Sequence, residues 1–163
     1  MKSRIQLLAL LVLAPSFAAG ADVVRHKIPN SNFPIAAAVE VPAGRTTVYL
    51  SGAVPPVANA DEPATSIAAY GHTEAQTVAV LGRIKAQLEG LGLSMGDVVK
   101  MQVFLVGDPE QAGRMDFAGF MKGYVQFFGT EEQPNLPARS TMQVAALANP
   151  GFLVEIEVTA VRP

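Results

Sequence analysis

The sequence predicts an α+β domain in which one β-sheet is backed on a single face by two helices. Three observations point there. Two segments carry apolar residues at helical spacing, beginning near Thr73 and near Asp108. Five short stretches, 36–41, 46–51, 98–106, 139–147 and 152–161, read as strands. The last two alternate between apolar and polar side chains, so the sheet has an apolar and a polar side. Two helices cover one face of a sheet this size, and the apolar side is the one expected beneath them.

The first residues stand apart from that domain. Lys2 and Arg4 precede the apolar run 7–14, then Pro15 and the small residues Ala19, Gly20 and Ala21, the order of a secretory signal cleaved after Ala21. The run is far short of the roughly 18 residues that span a bilayer. Pro15 would interrupt a buried helix. The expected division is a leader over 1–21 and one domain over 22–163, exported to the periplasm or secreted, with no membrane attachment after cleavage. Loss of the leader removes Lys2 and Arg4 and no acidic residue. It leaves 10 basic against 14 acidic residues, a formal charge of −4. That balance lacks the broad positive field of a nucleic-acid binder. The chain has no cysteine, which excludes disulfides, thiolate metal sites and a cysteine nucleophile.

Within the domain, 36–41 and 46–51 read as strand, turn, strand, with Pro42 and Gly44 in the turn. Residues 52–64 form a loop rich in Pro, Ala and Asp. Thr73 and Gln76 fit a capping box, after which Thr77, Leu81, Ile84, Leu88 and Leu91 mark one helical face; Gly90 and Gly92 end it. Residues 98–106 are mostly β-branched and apolar with faces that differ little, as in a central strand. Asp108-Pro109-Glu110 looks like a helix start. Phe117, Phe120, Met121, Tyr124, Phe127 and Phe128 follow as a wide apolar stripe, read as core without chemistry. Residues 129–137 form a loop whose Glu131 and Glu132 are a solvated pair. In the last strand Val154, Ile156, Val158 and Ala160 share one face, and Leu153, Glu155, Glu157 and Thr159 the other. In the strand before it, Met142, Val144 and Ala146 are expected on the helix-covered side and Arg139, Thr141 and Gln143 on the polar side. That polar side also carries Leu153, so neighbouring subunits are expected to cover it, with a pocket of both charge signs where they meet.

Few residues offer chemistry. His26 and His72 are the only histidines and lie far apart in sequence, so no metal site is expected. No nucleophile elbow, phosphate loop or cofactor signature is present, and no cofactor is expected. Arg139 in Leu136-Pro137-Ala138-Arg139-Ser140 and Glu155 in Val154-Glu155-Ile156-Glu157 remain. A planar guanidinium matches the two oxygens of a small carboxylate, and a nearby glutamate can move a proton to or from water. On these two residues alone, an ordinary surface arginine and an outward-facing glutamate is the simpler reading.

Several segments taken together shift that balance. Val48-Tyr49-Leu50-Ser51-Gly52, Thr73-Glu74-Ala75-Gln76-Thr77, Asp97-Val98-Val99-Lys100-Met101-Gln102-Val103-Phe104-Leu105, Tyr124-Val125-Gln126-Phe127-Phe128, Pro137-Ala138-Arg139-Ser140 and Val154-Glu155-Ile156-Glu157 resemble, in order, the reactive-intermediate deaminase family, the Rid or YjgF-like proteins. The resemblance implies a chorismate-mutase-like α+β fold with a mixed sheet, assembled as a homotrimer with pockets at the subunit clefts. It also implies hydrolysis of enamine and imine acids such as 2-aminoacrylate to a 2-oxo acid and ammonia, without metal or organic cofactor. Carried over, Arg139 clamps the substrate carboxylate, Glu155 positions or activates the water, and backbone near Gly52 and Ser140 lines the site.

Three positions depart from the family pattern. Ile35 follows Pro34 where the family has Tyr, Met121 replaces an Asn, and Thr141 replaces a Cys. These three are expected to contact substrate. They imply either a different or larger ligand or a non-catalytic module of the same fold that binds small carboxylates or stabilises proteins. Ribonuclease activity, claimed for some relatives, fits the charge of −4 poorly. A tight hairpin of the last two strands would set Glu155 roughly 13 to 20 Å from Arg139. Either the connection shifts the register, or one pocket takes Arg139 from one chain and Glu155 from another.

Overall fold

A computed structural model of the chain describes residues 22–163, and the expected leader over 1–21 lies outside the described residues. The elements in chain order are β1 (Val24–Lys27), β2 (Ala36–Glu40), β3 (Thr47–Ala53), α1 (Thr73–Gly90), β4 (Val98–Val106), α2 (Phe117–Tyr124), β5 (Ala138–Val144) and β6 (Val154–Val161). The six strands form one mixed sheet in the order β1-β2-β5-β4-β6-β3. β4 runs parallel to β5 and antiparallel to β6, and β2 meets β5 in parallel. The α+β class, the central position of 98–106 and two helices on one face match the sequence reading.

Each helix starts differently from its sequence signal. His72, not Thr73, is the residue before the first turn of α1, and Gln76 makes no capping box. Its amide is buried and bridges three backbone groups instead. Nε2 donates to the carbonyls of Gly71 (2.7 Å) and Gly151 (2.9 Å), and Oε1 accepts from the Leu153 N–H at 2.8 Å. The pull of those buried partners outweighs a local cap. Asp108 and Pro109 open only a short 3-10 turn, closed by Ala112 at φ +55°. α2 itself starts at Phe117, where the Asp116 carboxylate accepts from the Gly119 N–H at 2.8 Å.

The strand pairing is less local than the sequence suggested. The stretches on either side of the Pro42–Gly44 turn do not pair. β2 joins β1 and β5, while β3 runs along β6 at the far edge, Thr47 opposite Val161. β1 had no clear signal, being four residues with one apolar side chain. β5 and β6 are not a hairpin either, because β4 lies between them.

This insertion also corrects the face assigned to β5. Arg139, Thr141 and Gln143 pair with Met101, Val103 and Leu105, whose side chains are fully buried under the helices. Residues paired across a ladder share a face. Arg139 and Thr141 therefore point to the helix side, and Met142, 38% exposed, to the open side. In β6 the expectation holds for Val154, Ile156, Val158 and Ala160, which are buried beside Val80, Leu81, Ile84 and Leu88 of α1. Leu153, expected on the polar side, precedes the strand and is buried in the same core within the single chain. The two helices touch at Gly123, where an added Cβ would lie 2.8 Å from the Thr77 side chain.

Candidate functional site

Arg139 occupies the second position of β5, beneath α2. Its guanidinium carbon is 4.3 Å from the ring centre of Tyr124, 4.9 Å from Phe120, 5.5 Å from Phe33 and 6.0 Å from Phe117. Aromatic faces carry negative potential and attract such a cation. Nη2 donates to the Met121 sulfur at 3.3 Å, while Nη1 is buried with no hydrogen-bond partner. No carboxylate among the described residues forms an ion pair with it. Burial lowers the Arg139 pKa, and the Tyr124 side chain opposes that shift. Burial likewise pushes the Tyr124 phenol up to about 12, against the pull of Arg139.

The surroundings are held in place by backbone carbonyls. The Tyr124 hydroxyl donates to the Pro34 carbonyl at 2.9 Å, fastening the 33–35 segment over α2. Phe33 then stacks on Phe117 with centroids 6.4 Å apart and planes at 17°. Arg25, on β1, donates to the carbonyls of Gly96 and Leu136 at 2.8 Å and of Val98 at 2.9 Å. It thereby ties the edge strand to the segment that leads into β5.

Glu155 lies elsewhere. It pairs with Phe104 on the open face, whereas Arg139 pairs with Met101 on the helix face. Two strand spacings, roughly 10 Å, and three residues along β4, roughly another 10 Å, separate them, with the sheet between. A single chain does not bring the two together. Glu155 instead rests its carboxylate on Gly52, where an added Cβ would overlap Oε1. Gly52 sits at the β3 irregularity between Leu50 and Ala53. A side chain there would displace the carboxylate.

The remaining expected residues divide between the two faces. Ser140 is exposed on the open side, across from Gln102. Thr141 shares the Arg139 face, with Oγ1 buried and unpartnered. Met121 touches Arg139 directly, and Ile35 lines a hollow with Arg25 and Leu136. On the open face a separate hollow is bounded by Tyr49, Lys100, Gln102 and Glu157, with Tyr49 80% exposed. Sequence reasoning missed the aromatic enclosure of Arg139. Its signal was the α2 stripe, whose Phe120 and Tyr124 serve as core and as the floor under the cation. Among the described residues, no group of three or more His, Asp or Glu is placed to hold a metal ion, and no helix is long and apolar enough to cross a membrane.

Comparison with known proteins agrees with this architecture. The family model described as endoribonuclease L-PSP matches residues 43–162. Protein DfrA of Myxococcus xanthus is 36% identical over 133 residues, spanning 82% of this chain and 88% of that protein. The 2-iminobutanoate/2-iminopropanoate deaminase of Escherichia coli strain K12 is 35% identical over 115 residues, 71% of this chain and 79% of the enzyme. The crystal structure of E. coli TdcF with bound serine aligns at a TM-score of 0.56 and 31% identity, covering 86% of this chain and 98% of TdcF.

Proposed function

Because this chain belongs to the endoribonuclease L-PSP family, the YjgF/Rid proteins, we propose that it is a cofactor-free hydrolytic deaminase of small enamine and imine acids. One observation carries the reading: Arg139 is a partly buried cation with an unpartnered Nη1 and no carboxylate of its own. Removing a charge from water without a counter-ion is costly, so the site favours an arriving anion. Its Nη2 meets the Met121 thioether, a weak acceptor that a carboxylate displaces, beside the Tyr124 side chain, which also interacts with the guanidinium. The names of the E. coli deaminase and of serine-bound TdcF add small molecules with an amino or imino group beside a carboxylate.

In this reading the substrate carboxylate takes the Arg139 fork, and Glu155 comes from a neighbouring copy, since the two residues of one chain face opposite ways. Water adds to the imine carbon. Glu155 takes a proton from the water as its oxygen bonds to carbon and gives it to nitrogen, forming a carbinolamine. It then takes the carbinolamine hydroxyl proton and passes it to the amine, so that the C–N bond breaks as the C=O bond forms and ammonia leaves behind a 2-oxo acid. The task is modest, because imines hydrolyse unaided; positioning and proton management contribute about 10²- to 10⁴-fold. Residues 1–21 direct export in the same reading, so the substrate is met outside the cytoplasm. The charge of −4 after loss of those residues argues against an RNA substrate.

The test generates 2-iminopropanoate in situ with an amino-acid oxidase and follows ammonia release. The chain is expected to accelerate release, and Arg139→Ala to return it to the spontaneous rate. Saturable binding of a 2-oxo acid with no acceleration would replace the enzyme by a carboxylate-binding module.

A further inference from the structure

We propose that Phe33, Phe117 and Met121 form an apolar side-chain subsite at the mouth of the Arg139 anchor, selecting 2-imino acids with a bulky apolar or aromatic side chain. The inference rests on the deaminase reading for its anchor and adds the substrate class. Phe120 and Tyr124 are fully buried and seal the floor beneath the guanidinium. Phe33 is 40% exposed, and Phe117 and Met121 are partly exposed. With the two rings 5.5 and 6.0 Å from the guanidinium carbon and the Met121 sulfur 3.3 Å from Nη2, these three form the solvent-facing side of the cation's enclosure. None of the three offers a charged or hydroxyl group to a polar substituent.

Geometry then fixes where the rest of a substrate goes. Once the carboxylate occupies the fork, the substituent on the imine carbon cannot descend through the sealed floor and lies along the rim. A methyl group covers little of the Phe33–Phe117 pair, whereas a benzyl or isobutyl group removes both ring edges from water. Each added methylene in such a contact is worth about tenfold or more in discrimination. The rim is also set in advance. The Phe33 N–H donates to Ser31 Oγ at 3.1 Å, its carbonyl accepts from the Ile35 N–H at 2.8 Å, and Tyr124 holds the next carbonyl. Little ordering is left for the ligand to impose.

The experiment is calorimetric binding of two stable product analogues, pyruvate and phenylpyruvate, to the purified chain. Phenylpyruvate is expected to bind about tenfold or more tightly. Phe33→Ala should collapse that ratio by weakening phenylpyruvate far more than pyruvate, and Met121→Asn should shift it the same way. Equal affinity in the unsubstituted chain, with both acids lost in Arg139→Ala, would overturn the subsite and leave the carboxylate anchor standing. A ratio that survives both Phe33→Ala and Met121→Asn overturns it as well. Preference for phenylpyruvate without imine hydrolysis would sink the deaminase reading and keep the subsite.

Discussion

Arg139 is held as a cation where water is scarce, and ring faces rather than a carboxylate compensate it. A charge kept for binding is seldom the most stable choice for its position. Arg139→Met is therefore expected to abolish 2-oxo acid binding while leaving the melting temperature level or higher; a drop of several degrees would make the residue structural. Arg139→Lys keeps the charge but loses the planar fork, and should weaken carboxylate binding by about tenfold or more, as calorimetry would read. Tyr124, the ring nearest that cation, gives a pH dependence. Its phenol ionises near 12 in the fold against an ordinary value of 10.0, so the unfolded chain loses this proton first as pH rises. The associated stability, on the order of 2 to 3 kcal/mol, is complete below about pH 10 and disappears as pH climbs through the folded value. Urea unfolding across that window should show the decline, and Tyr124→Phe should flatten it.

The elements owe their arrangement to contacts that local patterns do not announce. Gln76 illustrates this most clearly: its amide joins the start of α1 to Gly151 and Leu153 before β6. Gln76→Leu preserves bulk but strands three backbone groups, two of them buried, and should cost roughly 3 kcal/mol in denaturant unfolding. A loss below about 1 kcal/mol would mean that water replaces the amide. Where packing and local pattern agree, the sequence was legible: 98–106 is β4 to the residue, and the spacing of Leu81, Ile84 and Leu88 marks the buried face of α1. Where they compete, it was not. Thr73 and Gln76 look like a cap because Thr-x-x-Gln usually is one, but Gln76 has buried partners distant in sequence. β5 was turned the wrong way because alternation gives two faces without saying which is covered. Only its pairing with Met101, Val103 and Leu105 decides, and Arg139 and Thr141 are polar residues on a covered face.

At the scale of the whole molecule, the sheet has one face packed by helices and one left open in the single chain, bearing Tyr49, Lys100, Gln102 and Glu157. The alternation in β6 made that open face readable from sequence, and with it the expectation of covering neighbours. The opposite placement of Arg139 and Glu155 was not readable, because it depends on β4 entering between β5 and β6. If a pocket takes its guanidinium from one copy and its carboxylate from the next, the two residues must complement in trans. Arg139→Ala and Glu155→Gln chains would each be inactive alone. Denatured together in equal amounts and refolded, they would regain about one quarter of the activity of the unsubstituted oligomer, the fraction of sites in a closed ring that draw both intact residues. Separately refolded and then mixed, they would stay inactive unless subunits exchange. Recovery of nothing after co-refolding, in oligomers shown to be mixed by mass, would require both groups to act from a single chain, which their opposite faces forbid, and would remove Glu155 from the reaction.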